Sequence, residues 1–293
     1  MMEQNNPTED DSYEPEYETC DLMVANQYAV RVLVVIPPPL EYMVSLHSNQ
    51  HEISGQNVWC GSLRLIETLV EIVKNNSTFY QKPLRILELG CGTGLVGMVI
   101  SKILPESIVV LTDGDDESLT LLQRNLQDPK NQIDFHKVQA TCLRWNENME
   151  DFDKWCRKHN SYYKNLNSST ATSPENLEIF PDEIEISNSP SDPVYFDIIL
   201  AGDVLYKPEL PNAFFDTVTR YLAPTTGVLW LCHVPRSSVT HELVEEIARD
   251  KGFSIHQVRT HFSNCPETIG GISEEDRVHE DWENAIVYQL QRS

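Results

Sequence analysis

The stretch Leu84-Arg-Ile-Leu-Glu-Leu-Gly-Cys-Gly-Thr-Gly94 decides how this chain is read. A short apolar run leads straight into glycines at 90, 92 and 94. Without Cβ atoms the backbone can turn tightly where a strand gives way to a helix, and a ligand can come close to it. The pattern therefore points to a nucleotide-type cofactor loop. Glu88 places an acid near the end of the strand, two residues before Gly90. A rival reading exists, because Gly92-Thr-Gly94-Leu-Val-Gly97 also satisfies GxGxxG, the nicotinamide-dinucleotide fingerprint. A dehydrogenase would start its glycines at the strand end. Here that first glycine is Gly90, which makes the register GxGxG.

On both sides of this stretch the chain alternates strand and helix. Strands are expected at 84–89, 107–112, 134–141, 195–202 and 226–233, and helices at 94–104, 116–127, 208–222 and 237–250. A helix is also expected from Ser62, where Leu63, Ile66, Leu69, Val70 and Val73 fall at helical spacing. Such alternation argues for a parallel sheet covered by helices on both faces. Phe253–Thr260 and Ala285–Leu290 have only a polar loop between them, which fits an antiparallel hairpin closing the sheet. Upstream, residues 1–22 read as a disordered acidic tail. The β-branched run Tyr28–Ile36, stopped by Pro37-Pro38-Pro39, is expected to pair with Glu41–His47 in a hairpin spanning about 27–48. Residues 23–293 then form one domain. Its interruption at about 146–194 is an acidic, Ser- and Asn-rich insertion, in which 147–164 can be helical through Phe152 and Trp155.

Composition excludes several classes. The 293 residues carry 45 acids against 22 bases, a formal charge of −23. Nucleic-acid phosphates want clustered Lys and Arg, so a nucleic-acid partner is disfavoured and a basic protein surface is favoured. The seven cysteines have no CxxC pair, so neither a metal site nor a disulfide framework is indicated. No uncharged apolar run is long enough to span a bilayer, and the acidic, polar N-terminus does not read as a signal peptide, so the expected setting is cytoplasm or nucleus.

Val109-Val-Leu-Thr-Asp113 places an acid at the end of the second strand, where it can bond both hydroxyls of a ribose. Asp115 and Asp116 read as the cap and first turn of the next helix. Four pieces then occur in order: Asn57-Val-Trp-Cys-Gly-Ser62, Leu87-Glu-Leu-Gly-Cys-Gly-Thr-Gly-Leu-Val-Gly97, Leu143-Arg-Trp145 and Phe196-Asp-Ile-Ile-Leu-Ala-Gly-Asp-Val-Leu-Tyr206. Together they resemble the family-16 seven-β-strand protein-lysine methyltransferases, from about residue 50 to the C-terminus. The resemblance implies a class I, Rossmann-like sheet of five parallel strands plus an antiparallel C-terminal hairpin, preceded here by the N-terminal hairpin. It implies S-adenosylmethionine as cofactor and, as partner, a protein with an accessible lysine.

Site residues follow from that resemblance. Gly90, Cys91, Gly92 and Gly94 form the loop beneath the methionine part, with Glu88 as a carboxylate anchor near its charged end and Asp113 on the ribose. Trp59 lines the cofactor pocket, Trp145 lies beside the adenine, and Gly202 touches the cofactor. Asp203-Val-Leu-Tyr206 matches the Asp/Glu-x-x-Tyr/Phe motif at the mouth of the active site. Asp203 is expected to hold the incoming amine and receive its proton, and Tyr206 to wall the acceptor channel. Methyl displacement needs alignment at about 3–3.5 Å more than acid–base machinery. A lysine, with a reference pKa of about 10.4, must also lose a proton first. The Asn/Asp-Pro-Pro-aromatic motif of nucleic-acid amine methyltransferases is missing at 203–206. His233, His241, Ser237 and Ser238 lack a paired acid and read as caps and surface. A small-molecule or protein-histidine methyltransferase, or a non-catalytic S-adenosylmethionine-binding assembly factor, is the alternative on this scaffold. The fold needs no partner to close its sheet, so a monomer is expected.

Overall fold

The computed structural model describes residues 15–36, 54–75, 82–166, 193–258 and 281–293. Its centre is a seven-stranded sheet in the order β5-β4-β3-β6-β7-β9-β8. The strands are β3 (Arg85–Leu89), β4 (Ile108–Asp113), β5 (Val138–Cys142), β6 (Ile198–Gly202), β7 (Val228–His233), β8 (Phe253–Val258) and β9 (Ile286–Arg292). The five from β5 to β7 are parallel neighbours, and β9 runs antiparallel to both β7 and β8. The C-terminal hairpin thus inserts its second strand between β7 and β8.

Strand alternation sorts the core into two layers. On β3, Ile86 packs in the layer that holds helices α1 (Cys60–Asn75) and α2 (Leu95–Ile103). Leu87 and Leu89 face the other layer, with α4 (Met149–Leu166), α5 (Leu210–Tyr221) and α6 (His241–Asp250). Phe152 of α4 meets Tyr221 of α5 edge-on, with centroids 5.0 Å apart. Each such buried aromatic contributes about 1.5–3 kcal/mol through the surface it removes from water. The first part of the insertion is therefore helix, anchored by Phe152 as expected. Helix α3 (Asp116–Gln127) is capped by Asp115, whose carboxylate accepts the Ser118 N–H at 2.7 Å.

The N-terminal hairpin corrects one expectation. Tyr28–Val35 (β2) pairs antiparallel with Tyr17–Val24 (β1), upstream of it, so the acidic segment is already strand from Tyr17. Cys20 and Val24 turn one face of the strand inward and Asp21 lies on the opposite face, while Glu18 shares the parity of Cys20 but stays exposed because it lies near the open start of the strand. The proposed partner Glu41–His47, residues 1–14 and the Ser/Asn-rich remainder of the insertion lie outside the described residues.

Candidate active site

The strand order reverses between β3 and β6, and ligands in such sheets bind in the crevice beyond the carboxyl ends of the strands at that point. A cavity of about 1060 Å³ opens there. That is at the upper end of the roughly 300–1,000 Å³ usual for ligand pockets, so it has room for a cofactor and a second reacting group.

Nine of the expected site residues line this cavity: Trp59, Gly90, Cys91, Gly92, Asp113, Trp145, Gly202, Asp203 and Tyr206. Main-chain geometry builds the cofactor side. Gly92 has φ +51°, and a Cβ there would lie 2.7 Å from the Gly55 carbonyl oxygen. Only glycine satisfies both constraints. Asp113 ties the loops after β3 and β4 together: its carboxylate accepts the Gly92 N–H at 2.9 Å and the Asp115 N–H at 3.0 Å. Burial pushes its pKa up, while those backbone donors hold it down. Trp145 meets Phe214 edge-on at 5.2 Å, which fixes its ring at the cavity wall. Cys91 is buried, and desolvation pushes its thiol pKa far up.

Two expected residues do not line the cavity. Gly94 caps α2 with φ +82°, and a side chain there would strike Leu122 of α3, so helix packing demands this glycine. Glu88 points the other way. In a strand, alternate residues share a face, and Glu88 lies on the face of Ile86, under α2 beside Gly97. Its Oε2 has no hydrogen-bond partner among the described residues. Burial raises its pKa to about 8 against the pull of the Gly97 N–H. Glu88 therefore supports the first turn of α2 from below and is no wall of the pocket.

The acceptor side holds the residue that sequence reasoning missed. Asp203 stands at the end of β6 with φ +59° and a side chain only 1% exposed. Arg236, from the loop after β7, donates its Nη2 to both Asp203 oxygens, at 3.1 and 3.3 Å. Its Nη1 lies 3.8 Å from Asp281. Burial raises the Asp203 pKa to about 6, opposed by the guanidinium and helped by Asp281. The carboxylate is thus mostly ionised at neutral pH, but it enters the site already paired. Only the partner's presence in the same Pro-Arg-Ser turn as Ser237 hinted at it. His233, expected near the surface, is instead fully buried against His241, and burial lowers its pKa to about 4. Asn57, Arg144, Glu147 and Lys207 also line the cavity without having been singled out.

Comparison with known proteins fits this geometry. Residues 41–161 match the model of the lysine methyltransferase family. The chain is 28% identical over 165 residues to an uncharacterized protein of Dictyostelium discoideum, across 56% of this chain and 40% of that protein. It is 35% identical over 63 residues to a calmodulin-lysine N-methyltransferase of Arabidopsis thaliana, across 22% of this chain and 21% of that one. The chain thus spans less than half the length of either relative. SMU.776, described as a methyltransferase and solved in complex with SAH, superposes with a TM-score of 0.51 at 10% identity, across 99% of this chain and 57% of that one. The fold is that of the Rossmann-like methyltransferases, and S-adenosylmethionine is the cofactor that fold and family match imply. The site suits that group: a glycine loop that side chains would fill, a half-buried acid at the end of β4, and an aromatic wall at Trp145.

Proposed function

We propose that this chain is an S-adenosylmethionine-dependent methyltransferase whose acceptor is a lysine side chain on a protein. One observation carries the proposal: the glycine loop with Asp113 and the Asp203–Tyr206 motif line one continuous cavity. Gly90, Cys91, Gly92, Asp113, Trp59, Trp145 and Gly202 would hold the cofactor, which when bound supplies an electrophilic methyl. Gly92 brings main chain to the ligand, and Asp113 keeps that loop in place while offering its remaining lone pairs to hydroxyls.

The acceptor chemistry rests on the other end. Asp203 is a carboxylate of raised pKa, ionised at neutral pH, that can take a hydrogen bond from an amine and move its proton away. Arg236 holds Asp203 in its left-handed turn and tempers its charge, so the amine meets a polarised but neutralised pair. Tyr206 lines the channel. Asp113, Asp115, Glu117, Glu147 and Glu209 outnumber Arg144 and Lys207 among the charged residues outside the Asp203–Arg236 pair, which favours a basic segment around the target lysine.

The test is label transfer from tritiated S-adenosylmethionine into a cell lysate, wild type beside Asp203→Ala, with S-adenosylhomocysteine binding followed by calorimetry. A discrete labelled protein band is expected from the wild type. It should disappear in the variant, whose S-adenosylhomocysteine affinity stays within about threefold, because the substituted carboxylate serves the acceptor. Undiminished transfer by Asp203→Ala would remove that role. Label in small molecules alone would replace the protein substrate, and failure of the wild type to bind S-adenosylhomocysteine would overturn the cofactor assignment.

A further inference from the structure

Two buried asparagines join the N-terminal hairpin to the glycine loop. Among the described residues no further strand pairs with the outer edge of β2, and side-chain amides meet it instead. Asn125, near the end of α3, accepts the Leu33 N–H at 2.7 Å and donates to the Leu33 carbonyl at 3.4 Å. Asn131, in the turn that follows α3, accepts the Arg31 N–H at 2.8 Å and donates to the Arg31 carbonyl at 2.7 Å. It also donates to the Asn125 carbonyl at 2.7 Å. Both asparagines are buried, at 1% and 0% exposure. Asparagine is a poor helix former that competes with the backbone for hydrogen bonds, so Asn125 needs a reason for its place in α3.

The reason lies on its other side. The Asn125 amide also donates to the Thr93 carbonyl at 2.9 Å. Thr93 stands between Gly92 and Gly94 and lines the cavity. Beneath this bridge, Val32 and Val34 of β2 share a core with Val96 and Val99 of α2, so the hairpin is packed as well as bonded against the loop's helix. The Asn125 amide has one oxygen and two N–H donors, and the hairpin and the loop together engage both atoms.

We propose that Asn125 is a positioning residue through which the N-terminal hairpin fixes the cofactor loop, so that the hairpin belongs to the cofactor site without touching its ligand. The proposal rests on the cofactor reading above. The peptide at Thr93–Gly94 is part of a turn with left-handed residues at 92 and 94, and glycine loops without an external hold have many alternatives. A hydrogen bond from a buried amide to Thr93 selects one of them, and the hairpin selects the orientation of that amide.

The experiment uses the full chain with Asn125→Ala, Asn131→Ala and the double variant. S-adenosylhomocysteine binding is measured by calorimetry, backbone hydrogen exchange at 91–94 by mass spectrometry, and urea stability alongside. Asn131 touches the hairpin and not Thr93, so its variant tests the wiring and not the loop bond. Asn125→Ala is expected to weaken S-adenosylhomocysteine about tenfold, the size of one lost buried hydrogen bond. Asn131→Ala should weaken it about threefold, and the double variant by less than the product, with faster exchange at 91–94 in all three. Unchanged affinity and exchange in Asn131→Ala overturn the hairpin's part even where Asn125→Ala is poorly folded. Reduced urea stability with unaltered affinity and exchange leaves the asparagines merely structural and also overturns it. If the wild type binds no S-adenosylhomocysteine, the cofactor reading fails, and exchange at 91–94 alone decides the wiring.

Discussion

The two ends of the cavity are built by different means. The cofactor end, after β3 and β4, is made of main chain: a glycine turn, left-handed residues, and Asp113 holding the Gly92 N–H 21 residues away. The acceptor end, after β6 and β7, is made of side-chain charge: Asp203, Arg236 and Asp281, drawn from three separate segments. The first kind of site tolerates no added atom, and the second tolerates no lost partner. Substitutions at the two ends should therefore fail in different ways.

The largest effect is expected at the cofactor end. Gly92→Ala forces a side chain into φ +51° and to within 2.7 Å of the Gly55 oxygen. Left-handed backbone alone costs a non-glycine residue about 1–3 kcal/mol, and relieving the contact adds to it. S-adenosylhomocysteine affinity should fall about 100-fold, read by calorimetry, while the circular dichroism spectrum stays that of the wild type. Affinity within threefold of the wild type would mean that the loop yields, and that the contrast between rigid main chain and adjustable charge is false.

At the acceptor end, Arg236→Ala strands a carboxylate whose side chain is 1% exposed. Removing one member of a buried pair costs about 3–5 kcal/mol; Arg236 is itself 23% exposed, so about 3 kcal/mol is expected in urea unfolding. Asp203→Asn in the same chain should recover much of that loss, because it removes the stranded charge. Equal stability of all three proteins would show that the pair contributes only to catalysis.

The same contrast explains what could be read from the sequence. Local patterns carried the strands, the cap at Asp115, and the glycine loop, since each depends on residues a few positions apart. Nine of the eleven expected site residues line one cavity because the fold brings strand ends together without needing their side chains. Arg236 carried almost no signal beyond its place in a turn: it lies 33 residues beyond Asp203, and no periodicity links an ion pair across two loops. The hairpin partner was misplaced because acids such as Glu16 and Glu18 suggested a solvated tail, whereas Cys20 and Val24 on one face suffice to hold the segment as a strand against β2 while the acids stay exposed. Glu88 was assigned to the ligand because it stands beside the glycines in sequence, but the strand turns it toward α2.

Glu88 gives the finest test, because it lies at the cofactor end yet behaves as a buried charge. Its pKa is raised from 4.5 to about 8, so the folded state binds its proton more tightly than the unfolded chain does. Its contribution to stability is fully present below about 4.5 and is lost as pH rises through 8. Glu88→Gln keeps the shape and removes the ionisation. The variant's Tm relative to wild type should then rise between pH 5 and pH 9, by about 3 °C for each kcal/mol of burial cost relieved. S-adenosylhomocysteine affinity should change by less than about threefold, since Glu88 is no wall of the cavity. A Tm difference that does not depend on pH would show the carboxylate to be compensated. A large loss of affinity would return Glu88 to the ligand and dissolve the division between a main-chain end and a charged end.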